Sequence, residues 1–87
     1  MKIEKNIRVQ DPRGLHLRAA ARLALLVREY RSPVWVRKGM QWLDARSALC
    51  LLQLGAVFGV ELSFLSDGDD ALQALEAIRT FLEQGEV

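Results

Sequence analysis

One cysteine, one histidine, one tyrosine and two prolines stand in this chain of 87 residues, and each scarcity excludes something. Cys50 has no partner for an internal disulfide, and its place in an apolar helix-like run reads as a small buried hydrophobe. A single histidine and no Cys/His cluster leave neither a metal site nor a hydrolase triad, so no metal or cofactor is expected. The longest apolar stretch, residues 48–60, is broken by Gln53, Gly55 and Gly59 and is too short to cross a bilayer. Met1-Lys2-Ile3-Glu4-Lys5 lacks the apolar run of a signal peptide, and the chain is expected in the cytoplasm without direct membrane insertion. There is no lysine-rich stripe and no aromatic-basic interleaving, which argues against a nucleic-acid partner.

What is present suits one globular domain over residues 1–87. The 51% hydrophobic fraction is ordinary for a small core and too high for a disordered chain. Charge is unevenly spread: residues 1–46 hold 11 of the 12 Lys and Arg against 4 acids, and residues 47–87 hold one arginine against 7 acids. Arg13, Arg18 and Arg22 cluster around His16, which favours a phosphate or an acidic partner at that end.

The pattern predicts the element order βαββαβα. Ile3, Lys5, Ile7 and Val9 alternate with polar residues as a half-buried strand, and Asp11-Pro12-Arg13-Gly14 is a turn. Residues 16–30 form a helix with Leu17, Ala20, Ala21, Ala24 and Val27 on its apolar stripe. Val34–Lys38 and Gln41–Asp44 flank Gly39-Met40 as a hairpin. Ser47 to Leu54 is a short helix closed by Gly55, and Val60, Leu62 and Phe64 mark the last strand. Asp67-Gly68-Asp69-Asp70 supplies a turn and helix N-cap, and the final helix buries Ala71, Ala74, Leu75, Ile78 and Leu82 before Gly85. Strands apolar on one side imply an antiparallel sheet with one face covered by the helices, an α+β two-layer fold.

The stretch Gly14-Leu15-His16-Leu17-Arg18 carries the most chemistry. It stands where a loop becomes a helix, in a field of unpaired N–H groups that attracts anions and favours a neutral imidazole. A neutral imidazole can accept a phosphoryl group, and Arg18 offers a charged fork for its oxygens. The same histidine could also do no more than cap a backbone amide, and local sequence leaves both readings standing. Ser47 is read first as a helix N-cap; a phosphate there would meet the helix dipole and set negative charge beside a docking surface. The helix after it has almost no polar face, so one side either docks a partner or lies under a loop.

These residues resemble a known family over essentially the whole chain. Gly-Leu-His-x-Arg at 14–18 looks like the active-site signature of HPr, the histidine-containing phosphocarrier of the bacterial phosphoenolpyruvate-dependent phosphotransferase system. Ala45-Arg46-Ser47 with Leu49, Leu52, Leu54 and Gly55 resembles that family's regulatory serine segment, and residues 67–75 its final turn and helix. The resemblance implies an open-faced β-sandwich, with a four-stranded antiparallel sheet covered on one face by three helices. It implies a monomer whose His16 accepts phosphate through Nδ1 from enzyme I and passes it to IIA domains. It gives Arg18 the role of steadying the phosphorylated ring, and Leu49, Leu52 and Arg22 that of partner docking. Ser47 would be a target of HPr kinase/phosphorylase, with a transcriptional regulator as a further partner.

Some residues depart from the pattern. Ala19 stands where the family usually has proline, Leu17 replaces a small residue, and Arg13 a small polar one, adding positive charge near the phosphate. Ala48 replaces a larger apolar residue, and Trp35 and Trp42 add an apolar surface. Ala19 and Ala48 motivate an alternative: a regulatory module acting through protein binding controlled by Ser47 or His16 phosphorylation. A third reading is a ferredoxin-like small-molecule sensor with a similar element count.

Overall fold

The computed structural model describes residues 1–84, and the predicted helix stop at Gly85 lies outside them. In chain order the elements are β1 Lys2–Arg8, α1 Leu17–Arg28, β2 Val34–Arg37, β3 Leu43–Asp44, α2 Ala48–Gln53, β4 Glu61–Asp67 and α3 Ala71–Gln84. The expected order is therefore observed. The strands form one antiparallel sheet in the order β1-β4-β2-β3, with β4 inserted between the two strands that α1 connects.

Alternation decides which face is covered. Ile7, Val34, Val36, Leu62, Phe64 and Ser66 point inward and are almost fully buried. They meet Ala20, Leu23, Ala24 and Val27 of α1 and Ala74, Leu75, Ile78 and Leu82 of α3 in one core. Ser66 sits among them because its hydroxyl donates to the Pro33 carbonyl at 2.9 Å, satisfying its polar group. On the opposite face, Ser63 pairs with Asn6 and Arg37 reaches Glu4. Trp35 and Trp42 border a shallow cleft of about 280 Å³ there, together with Lys2, Leu65 and Asp67.

Four local expectations are corrected. Leu17 is 68% exposed, and the buried stripe of α1 runs instead through Ala19, Ala20, Leu23, Ala24 and Val27. Ala19 and Ala20 of the same first turn are already buried, so Leu17 stands to the side of the stripe, roughly 90° around the helix from its centre. The β2–β3 connection spans residues 38–42 rather than a tight Gly39-Met40 turn, and β3 keeps only Leu43 and Asp44. Cys50 is half-buried, not enclosed. Asp70 sits before α3, but its carboxylate reaches back to the α1–β2 loop, accepting the Arg31 and Ser32 amides at 2.9 Å each and the Ser32 hydroxyl. Those bonds, the Ser32 hydroxyl's first, hold the Asp70 carboxyl at about 2, below its ordinary 3.8.

Candidate functional site around His16

The loop before α1 is built by its own residues. Asp11 through Gly14 form a turn closed by Gly14 N–H donating to the Asp11 carbonyl at 2.8 Å. Proline at the second position presets φ, and Gly14 at the fourth adopts φ +73°. Gly14 is required twice over, because a Cβ there would also stand 2.6 Å from the Ala56 carbonyl oxygen. The next amide, Leu15 N–H, donates to that same carbonyl at 2.9 Å. Buried Leu15 completes the anchor, so the histidine follows a loop tied to residues 56–57.

His16 is the N-cap of α1, with extended φ −77° and ψ 176°. Its carbonyl accepts the Ala20 amide at 2.8 Å, opening the helix. Its Nδ1 accepts the Ala19 N–H at 3.4 Å, a long bond for a cap. Ala19, at the position where proline would have no N–H, thus supplies a donor to the ring. The other nitrogen, Nε2, is shut off from solvent and lies 3.5 Å from Asp11 Oδ2.

Asp11 is the residue the sequence reading passed over, taking it only as part of a turn. It is 5% exposed, rare for a carboxylate. Arg13 holds it by backbone N–H at 2.9 Å and by Nε and Nη2 at 3.2 and 3.1 Å. The Arg13 charge is thus paired with Asp11 rather than simply added to the phosphate environment. The usable signal was an acid five residues before the lone histidine, in a turn that folds the chain back.

Arg18 and Arg22 are exposed on α1, one turn apart. Ser47 caps α2 as expected, its hydroxyl accepting the Cys50 amide at 3.1 Å. The segment before it is fixed to the end of α1: Arg46 donates to the Tyr30 and Arg31 carbonyls at 3.2 Å, and Arg28 donates back to the Arg46 carbonyl at 2.9 Å. Leu51 is fully buried on α2, while Leu49 and Leu52 are exposed, so the apolar outer side of this helix does not lie under a loop. Val57 and Phe58, exposed on the loop that braces Gly14, add apolar surface beside the site and were not singled out in the sequence. Among the described residues no group of acids, cysteines and histidine could hold a metal ion, and no helix is long and apolar enough to cross a membrane.

The family profile described as PTS HPr component phosphorylation site matches residues 3–84. The chain belongs to the HPr family of the phosphotransferase system. It is 36% identical over 77 residues to Phosphocarrier protein NPr of Shewanella violacea, covering 88% of this chain and 85% of that one. It is 27% identical over 82 residues to HPr-like protein Crh of Halalkalibacterium halodurans, covering 94% and 98%. The crystal structure of HPr-C-His from Thermoanaerobacter tengcongensis superposes with a TM-score of 0.88 at 26% identity, covering 98% of this chain and 99% of that one. The open-faced fold and HPr-family membership expected from the sequence are thereby established.

Proposed function

We propose that this family member carries phosphate on His16 Nδ1, receiving it from phosphorylated enzyme I and delivering it to a IIA domain. The observation that carries this reading is the placement of His16. Its Nδ1 bears the lone pair that the Ala19 N–H contacts, at the positive end of a 12-residue helix. In the transfer, that lone pair forms the bond to phosphorus while the bond from phosphorus to the donor breaks, its electron pair leaving with the donor. The Ala19 amide, held only at 3.4 Å, then turns to a phosphoryl oxygen. Arg18 supplies a fixed positive charge to the same group from the first turn of α1.

Leu49 and Leu52, with Arg22, are the surface on which partners dock. The exposed apolar side of a two-turn helix supports this, since it has no internal use. Ser47 is the regulatory position: a phosphate there keeps the favourable end of the α2 dipole and places about two negative charges beside Leu49. The alternative, a regulatory module with little phosphate flux, is supported by the match to Crh and by the departures at Ala19 and Ala48. It predicts stoichiometric capture of a non-transport partner with negligible labelling.

The deciding experiment incubates the protein with phosphoenolpyruvate and enzyme I and follows an acid-labile label. Wild type takes up one phosphoryl group, His16→Ala takes up none, and Arg18→Ala is labelled more slowly while remaining folded. Labelling of His16→Ala, or normal kinetics in Arg18→Ala, overturns the corresponding role.

A further inference from the structure

The two ring nitrogens of His16 face opposite kinds of group. Nδ1 accepts from a donor, the Ala19 N–H at 3.4 Å, and Nε2 lies 3.5 Å from a carboxylate oxygen, Asp11 Oδ2, at ion-pair distance rather than in a formed hydrogen bond. A donor is satisfied only by a lone pair and an acceptor only by a proton. We propose that Asp11 is a positioning residue of the phosphoryl-transfer reaction, keeping the imidazole proton on Nε2 throughout the cycle. The proposal rests on the phosphocarrier reading of His16 and adds to it a residue outside the 14–18 stretch.

Holding that proton matters in both directions of transfer. A neutral ring protonated on Nε2 has its nucleophilic pair on Nδ1. When Nδ1 bonds to phosphorus, the ring becomes a cation that keeps the Nε2 proton, and the buried carboxylate opposes its charge. When the Nδ1–P bond breaks toward the next acceptor, the bonding pair returns to Nδ1 and the leaving group is the same neutral imidazole. No proton moves in either step, so no base is needed. The carboxylate is kept in place by the three Arg13 contacts and by burial.

The surroundings fit this role. Asp11 lines a small pocket together with Val9 just after β1, Gly14, Leu15, Ala19 of α1, and Phe81 and Leu82 of α3. Among the described residues, the charged groups on the loop of Asp11 and on the first half of α1 are Arg13, which faces Asp11 directly, and Arg18 and Arg22. In apolar surroundings a carboxylate acts on a neighbouring ring more strongly than it would in water.

The test is nitrogen NMR on the protein labelled with ¹⁵N-histidine, unphosphorylated and at a pH where the ring is neutral. Wild type is expected to show a protonated Nε2 and an unprotonated Nδ1. Asp11→Asn keeps an acceptor for the Arg13 amide but can turn an NH₂ toward Nε2, and is expected to shift the ring to the other tautomer or to a mixture. The same variant, once phosphorylated, should show a phosphoryl lifetime whose pH profile differs from that of wild type, because the carboxylate no longer opposes the charge of the ring. Wild-type nitrogen shifts retained in a folded Asp11→Asn protein overturn the proposal. So does an unchanged pH profile of phosphoryl lifetime. If Asp11→Asn does not fold, Arg13→Gln, which leaves the carboxylate but loosens it, must give a partial tautomer shift, and an unaltered spectrum overturns the proposal equally. The tautomer measurement needs no phosphate, so it is separate from failure of the carrier reading, which would appear as wild-type protein that enzyme I cannot label.

Discussion

Two helices in this molecule begin in the same way and differ in what the cap is free to do. Ser47 caps α2 with a hydroxyl 3.1 Å from the amide three residues on, and its backbone segment is fixed to the end of α1 by Arg46 and Arg28. His16 caps α1 with a ring nitrogen 3.4 Å from the equivalent amide, and its second nitrogen rests against a buried carboxylate. The first is a structural cap that a modification could use. The second is a weak cap, and its ring is the one proposed to carry phosphate. A helix N-terminus alone does not distinguish these cases; the group on the far side of the capping residue does.

The largest break in this comparison comes from the loop that carries His16. Gly14→Ala forces a left-handed backbone onto alanine and drives a Cβ into the Ala56 carbonyl, 2.6 Å away. A loss of about 2–4 kcal/mol of stability is expected in denaturant unfolding, together with slower labelling of His16. Retained stability would mean that the loop's bracing against residues 56–57 is not what fixes the ring.

Removing the Ser47 cap has a smaller effect and sharpens the contrast. Ser47→Ala should cost about 1 kcal/mol, read from the urea midpoint, and leave transfer through His16 unchanged. Ser47→Asp should restore the cap and slow phosphorylation by enzyme I. Equal transfer rates for Ser47→Asp and Ser47→Ala would remove the regulatory role from this position.

The smallest effect lies away from both caps, at Asp70. Its carboxyl is held at about 2 against an ordinary 3.8, so the folded state binds this proton less readily than the unfolded chain. The contribution is full above pH 3.8 and is lost as pH falls toward about 2. Asp70→Asn should therefore be less stable than wild type near neutrality, with the difference narrowing across that acid window in pH-dependent unfolding. A constant difference through the window would contradict the assignment of the bonds from Ser32 and Arg31.

How much could be read in advance follows from the range of each interaction. The strands were legible because the inward positions of β4, Leu62, Phe64 and Ser66, alternate with outward ones, and only Ser66 breaks the apolar pattern. Gly55 closing α2 was legible for the same local reason, its φ of +60° being glycine's preserve. Leu17 misled because its spacing to Ala20, Ala21 and Ala24 fits a stripe centred to one side of the one that packs, which runs through Ala19, Leu23 and Val27. Asp11 and Asp70 were read as turn residues because a turn is what local sequence encodes. Asp70 acts on residues 38 and 39 positions away, and Asp11 becomes a partner of His16 only when the Gly14 turn brings it back. The proposed site residues were largely visible, but the buried carboxylate beside the ring was not.

The central claim is that Nδ1 of His16 is the atom that bonds to phosphorus. Combined ³¹P and ¹⁵N NMR on the histidine-labelled protein, phosphorylated with phosphoenolpyruvate and enzyme I, addresses it directly. The expected spectrum has one phosphorus signal coupled to Nδ1 of His16, with Nε2 still protonated. Phosphorus coupled to Nε2, or no phosphohistidine signal under conditions that phosphorylate a known HPr, would contradict it.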